Sequence, residues 1–166
     1  MKVLWCLLVL LLVSCSASDT APPGYVDACY GGDFTKTLSG HAPIFSGQLD
    51  ISENQWPRLT QILLDLSNRR HLQFFNDTRN DPDVRMIMIS LCSRNGLFMY
   101  VDRRIFLDGN GRVIMDHPLT VAIFTYKDRD TWPAFTQEVK SALDAEWPGK
   151  LTSNPNIHIQ LKNSIL

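Results

Sequence analysis

Val84-Arg85-Met86-Ile87-Met88-Ile89-Ser90-Leu91-Cys92, followed by Ser93-Arg94-Asn95-Gly96 and then Leu97-Phe98-Met99-Tyr100-Val101-Asp102-Arg103-Arg104-Ile105-Phe106, is the stretch that decides the fold. Asn-Gly between two runs of this kind is the strongest short-range signal for a β-hairpin. Side chains alternate across a strand, so Val84, Met86, Met88 and Cys92 fall on one side. Ile87, Ile89 and Leu91 fall on the other, and residues 97–101 are likewise apolar on both sides. Strands of this composition require cover on both faces of their sheet.

Working outward, residues 44–50 read as a strand and His71-Leu72-Gln73-Phe74-Phe75 as another, ended by the turn-rich Asn76-Asp77-Thr78-Arg79-Asn80-Asp81-Pro82. Asp108-Gly109-Asn110-Gly111 marks a second hairpin tip, residues 119–126 a further strand, and the alternation over 156–161 a last one. Trp56-Pro57-Arg58-Leu59-Thr60-Gln61 echoes in Trp132-Pro133-Ala134-Phe135-Thr136-Gln137, and each copy opens an amphipathic run. The first places Trp56, Leu59, Ile62, Leu63 and Leu66 on one helical face, and the second Trp132, Phe135, Val139, Leu143 and Trp147. Asn54 and Asp130 fall at equivalent N-cap positions, making each proline the third helical residue, where its missing N–H costs no helical bond. The echo has two readings, a duplicated βα unit or the common chemistry of good helix starts.

The expected order is β-α-β-β-β-β-α-β. It gives an α+β fold with two helices on one face of a mainly antiparallel sheet, ferredoxin-like in outline with an inserted hairpin. Two helices leave the second face open. Residues 25–40, stapled by a Cys29–Cys92 disulfide, are expected to cover it, the alternative being a docking surface for a partner.

The chain has 166 residues, 45 % of them hydrophobic, and a formal net charge of −1. Those values fit one packed domain and give no basic footprint for nucleic acid. The first residues carry an address. Lys2 precedes an apolar run over 3–13 and then small residues from Ser14 to Ser18, the layout of a secretory signal peptide. The run is too short for a membrane-spanning helix, which needs about 20 apolar residues.

Leu12-Val13-Ser14-Cys15 resembles the lipobox of bacterial lipoproteins. The resemblance implies cleavage before Cys15, lipidation of its sulfur and anchorage to a membrane. Ser16 after the cysteine resembles the outer-membrane sorting class. On that reading residues 1–14 are signal, 15–23 a lipidated tether ending in Pro22-Pro23, and 24–166 a single domain. The alternative is ordinary cleavage before Asp19, which releases a soluble secreted protein. With Cys6 in the signal and Cys15 lipidated, Cys29 and Cys92 remain, and two cysteines in an exported chain most economically form one disulfide.

Little in the chain reads as catalysis. His41, His71, His117 and His158 lack zinc-ligand spacing to one another or to cysteine, so no metal site and no cofactor are expected. Asp108-Gly109-Asn110-Gly111 continues into Arg112 and apolar residues and lacks the distal acid of a calcium loop. Asn76-Asp77-Thr78 fits a glycosylation sequon, which matters only in a eukaryotic host. Cys29 with His41 or His117, beside Gly31 and Gly32, could form a thiol hydrolase only if Cys29 were free.

The first expectation is therefore a non-catalytic envelope lipoprotein facing the periplasm and capturing a protein partner, as inhibitor, immunity or assembly factor. Its contact elements are the hairpin with Arg103, Arg104, Asp108, Asn110, Arg112 and His117, and the loop 76–83. The alternatives are the Cys29 hydrolase and a carrier of an apolar ligand lined by Met86, Met88, Phe98 and Met99.

Overall fold

The computed structural model describes residues 42–93, 96–125 and 132–154. Among the described residues eight strands form one antiparallel sheet: β1 (Phe45–Leu49), β2 (Gln73–Asn76), β3 (Arg79–Asn80), β4 (Val84–Cys92), β5 (Leu97–Leu107), β6 (Val113–Asp116), β7 (Thr120–Thr125) and β8 (Leu151–Ser153). Helices α1 (Trp56–Arg70) and α2 (Trp132–Glu146) pack against it, giving an α+β fold. The strand order is β2-β4-β5-β7-β1-β8, with β3 added to β4 and β6 to β5.

The hairpin of β4 and β5 is the spine of this sheet, paired without a slip from Val84↔Phe106 to Cys92↔Phe98. Gly96 supplies the positive φ of 103° at its turn. Ile87, Ile89 and Leu91 of β4, Leu97, Met99 and Val101 of β5, and Leu119, Val121 and Ile123 on and before β7 form the face under the helices. Trp56, Leu59, Ile62, Leu63 and Leu66 of α1 meet them, with Phe135, Val139 and Leu143 of α2. The two helical stripes legible in the sequence are thus the buried ones. The helices run antiparallel: Arg58 near the start of α1 pairs with Glu146 at the end of α2 at 2.7 Å. Arg70 at the end of α1 pairs with Glu138 at 2.7 Å.

Local chemistry differs from the expectation in three places. The chain is capped by Ser52 instead of Asn54: Ser52 precedes a 3-10 turn at Glu53–Gln55, and the Gln55 side-chain carbonyl accepts from the Ser52 N–H at 3.0 Å. Pro57 is consequently the second residue of α1, still a position where the lost N–H costs nothing. Two short strands, β3 and β6, join the expected order by pairing with the outer ends of β4 and β5. A three-residue β8 pairs with β1 at Gly47↔Ser153. Asp130 and the strand expected over 156–161 lie outside the described residues.

The second face is divided. Ser90, Cys92, Phe98, Tyr100, Ala122 and Phe124 are buried, and the rings of Phe98, Tyr100 and Phe124 touch one another with centroids 6.0–6.3 Å apart. Residues 25–40, expected to cover this half, lie outside the described residues. Further along the same strands the burial gives way, and that is where the candidate site lies.

Candidate binding surface

The outer ends of β4 and β5, flanked by β3 and β6, form an arm that keeps Ile105 in the core on the helical face but opens on the other. On the face away from the helices, Val84, Phe106 and Met115 stand in one row across the strands. Arg79, Met86 and Arg104 form the next row, followed by Met88 and Asp102. Val84, Met86, Met88 and Phe106 are half-buried, and Arg79, Arg104 and Met115 are exposed. The His117 ring meets the edge of Phe106 at 6.0 Å between centroids. The result is an apolar floor of methionines and one phenylalanine, edged by arginines and a histidine.

Asp102 sits at the boundary between the covered and open halves of this face. Burial raises its carboxyl above its ordinary pKa, and the nearby Arg104 and His117 pull it the other way. Arg104 Nε donates to Asp102 Oδ1 at 3.3 Å. The same burial pushes the Tyr100 phenol up, with the Asp102 charge adding to it.

The hairpin residues expected to act together are brought to one arm but not to one face. Arg104 and His117 belong to the open face. Arg103, one residue away, points to the helical side, where its Nε and Nη2 donate to Asp116 at 3.0 and 2.9 Å. Its Nη1 donates to the Ile51 carbonyl at 2.9 Å. With Asp50, Ile51, Asp116 and Pro118, Arg103 lines a cleft of about 390 Å³ where β1 leaves β7. Asp50 there is held below the usual carboxylate range by a hydrogen bond from Lys150. Asp108 is turn chemistry, its Oδ1 accepting from the Asn110 and Arg112 N–H groups at 2.9 and 2.8 Å. On the loop, Arg79 Nε and Nη2 donate to Asp77 at 2.6 and 2.7 Å.

The expected hairpin from Asp102 to His117 contains β6 as its return arm, but sequence reasoning did not mark it as a strand or single out its exposed apolar run. Val113, Ile114 and Met115 are 52 %, 69 % and 53 % exposed, consecutive and apolar. β6 pairs with β5 on one side, and among the described residues no strand pairs with its other edge. The register slips between Phe106 and Leu107, which face Met115 and Val113, so Ile114 is the extra residue of a bulge. The available signal was three consecutive apolar residues one position past a Gly-containing tip, a run without the alternation of a half-buried strand.

Cys92 is buried and disulfide-bonded, and its partner lies outside the described residues, as do Cys15 and Cys29. Phe98 and Met99 point to opposite faces of β5, and Met99 belongs to the helical core, so the four side chains of the expected apolar-ligand cavity do not share one space. Among the described residues no cluster of His, Cys, Asp or Glu is placed to hold a metal. No helix among them is long and apolar enough to cross a membrane. No protein-family model matches the chain, and neither the curated proteins nor the solved structures contain a match.

Proposed function

We propose that this chain is a cell-envelope lipoprotein, anchored through Cys15 and facing the periplasm, whose domain works by binding another envelope protein without catalysis. The observation that carries the reading is the open half of the second sheet face. Met86, Met88 and Phe106, edged by Arg79, Arg104 and His117, have the composition that protein interfaces favour, methionine, aromatic and arginine. Methionines also let such a floor adapt to the shape of its partner.

The address and the redox state support it. Disulfides persist in exported proteins, and Cys92 is in one. If Cys6 leaves with the signal and Cys15 carries lipid, the partner of Cys92 is Cys29, and the nucleophile that a thiol hydrolase would need is consumed. The acyl chains then hold the domain at the membrane, more than one chain being needed for stable anchorage.

Two measurements test this. Intact mass of the protein from its own envelope should show a start at Cys15 with acyl mass and no alkylatable thiol until reduction. A start at Asp19 with two free thiols overturns the anchor and returns Cys29 to a catalytic search. A photo-crosslinking amino acid at Met86 should then give one discrete adduct with another envelope protein, abolished by Met88→Glu. Equal labelling from Met86 and from Gln61, on the exposed side of α1, would overturn the binding face.

A further inference from the structure

We propose that the methionine floor of the open face is a reversible oxidation site, and that peroxide in the envelope closes the face by converting its thioethers to sulfoxides. The inference deepens the binding role proposed above and rests on it. The chain has five methionines. Met86, Met88 and Met115 share the face of the arm turned away from the helices, placed there by the pairs Met86↔Arg104, Met88↔Asp102 and Phe106↔Met115. Met86 and Met88 are half-buried and Met115 is 53 % exposed, so solvent reaches all three residues. Met99, on β5 but facing the helices, is fully buried. Oxidation to the sulfoxide turns a flexible apolar side chain into a polar one. It therefore removes the property by which this floor would hold a partner.

Two features make the change a switch instead of damage. The three side chains stand outside the core cluster, so their oxidation leaves the packing of helices on sheet in place. Met86 is also paired in register with Arg79 on one side and Arg104 on the other. A guanidinium carries five N–H donors. Arg79 gives two of them to Asp77, and Arg104 gives one to Asp102. Side chains directly opposite on paired strands stand about 5 Å apart at Cβ, so the new sulfoxide oxygen, an acceptor, has donors beside it. In the forward step a sulfur lone pair attacks one peroxide oxygen, the O–O bond breaks, and the other oxygen leaves as water. Sulfur is thereby oxidised by two electrons. The reverse step needs the thiols of a methionine sulfoxide reductase: two thiols become a disulfide, and the sulfoxide oxygen leaves as water.

Peptide mass mapping of the purified full chain during mild hydrogen peroxide treatment should show one added oxygen at Met86, Met88 and Met115 well before Met99. The oxidised protein should keep its cooperative unfolding, and methionine sulfoxide reductase with a dithiol should restore the original mass. In intact cells, a photo-crosslinking amino acid at Val84, which shares this face, should give an adduct that falls several-fold after peroxide. The variant Met86→Leu/Met88→Leu/Met115→Leu keeps apolar bulk without an oxidisable sulfur, and its adduct should survive the same treatment. Oxidation of Met99 as fast as the other three, or loss of cooperative unfolding on oxidation, overturns the proposal. So does an adduct that persists through peroxide in the unmodified sequence, or that falls equally in the leucine variant, and either result leaves the binding face standing. Absence of any adduct from Val84 or Met86 before treatment would sink the binding role, and this inference with it.

Discussion

The two ends of the β4–β5 hairpin share backbone pairing and composition, yet they live in different surroundings. Toward the turn, Ile87, Ile89 to Cys92 and Leu97 to Val101 are all buried, on both faces. Toward the other end Ile105 still reaches the core on the helical face, whereas Val84 to Met86, Phe106 and Leu107 are half-buried, and β6 beside them is open to solvent. The cause is length. α1 has 15 residues, about 22 Å at helical rise, whereas β5 has 11, about 36 Å at strand rise. A helix of that size covers the strand on one face only as far as Ile105 and Leu107, and nothing of comparable length covers the opposite face among the described residues. One continuous ribbon therefore serves as core at one end and as exposed arm at the other, and a substitution should cost stability or association according to the end it strikes.

The largest contrast comes from equal truncations at the two ends. Leu63→Ala removes a fully buried side chain from α1 where it meets the sheet, and should lower unfolding free energy by about 2–5 kcal/mol. Ile114→Ala on β6 should change it by less than about 0.5 kcal/mol. Urea denaturation of both variants checks the pair. A cost at Ile114 comparable to that at Leu63 would mean that the arm belongs to the core after all.

Next in size is a site where the core end has no room at all. A Cβ added at Gly47 would lie 2.7 Å from the Thr152 carbonyl oxygen and 3.0 Å from the Phe45 ring. The carbonyl belongs to backbone paired with β1 and cannot rotate away, so β8 must shift. Gly47→Ala should cost about 1–3 kcal/mol, with amide exchange accelerating at Leu151–Ser153 before the β4–β5 hairpin responds. On the arm, Gly109→Ala meets nothing within 4 Å and should leave the melting temperature within a degree or two of wild type, by the same reasoning. A larger loss at Gly109 than at Gly47 would reverse the contrast.

The sequence revealed the core end well and the arm poorly, for physical reasons. Period-two alternation separated Ile87, Ile89 and Leu91 from Met86 and Met88, and helical spacing identified Leu59, Leu63, Val139 and Leu143, because burial on one side writes a period into the chain. The same alternation set Arg103 and Arg104 on opposite faces, yet grouping them by proximity in sequence made them one site. β6 carries no period because neither of its sides is buried: Val113-Ile114-Met115 looks like core composition and sits in water. The choice of Ser52 over Asn54 as cap was equally illegible, since both are good caps and only the intervening 3-10 turn decides between them. Asp102 gave no sign of burial, because alternation assigns its face but not how much of that face is covered.

Asp102 marks the border between the two ends and offers the next prediction, which is of sign more than size. Burial raises its folded-state pKa above the unfolded value. Such a group contributes stability fully below its unfolded pKa and loses that contribution as pH rises through its folded pKa. Asp102→Asn keeps the shape and removes the titration. Melting temperatures of the two proteins, compared from mildly acid to neutral pH, should therefore diverge in favour of the asparagine as pH rises. Convergence with rising pH would mean that Arg104 and His117 outweigh burial, and would place Asp102 with the solvated arm.

The smallest effect on stability is expected on β6, at the open end of the arm. Ile114→Lys places a charge on a side chain that is 69 % exposed at a bulge, and inward or edge lysines are a common means of preventing strands from pairing. Unfolding free energy should stay within about 0.5 kcal/mol of wild type, because no buried contact is lost and no core atom moves. Urea denaturation checks it. A loss of stability comparable to that of a core substitution would mean that Ile114 is packed within its own chain, and that the division of the hairpin lies further out along the arm.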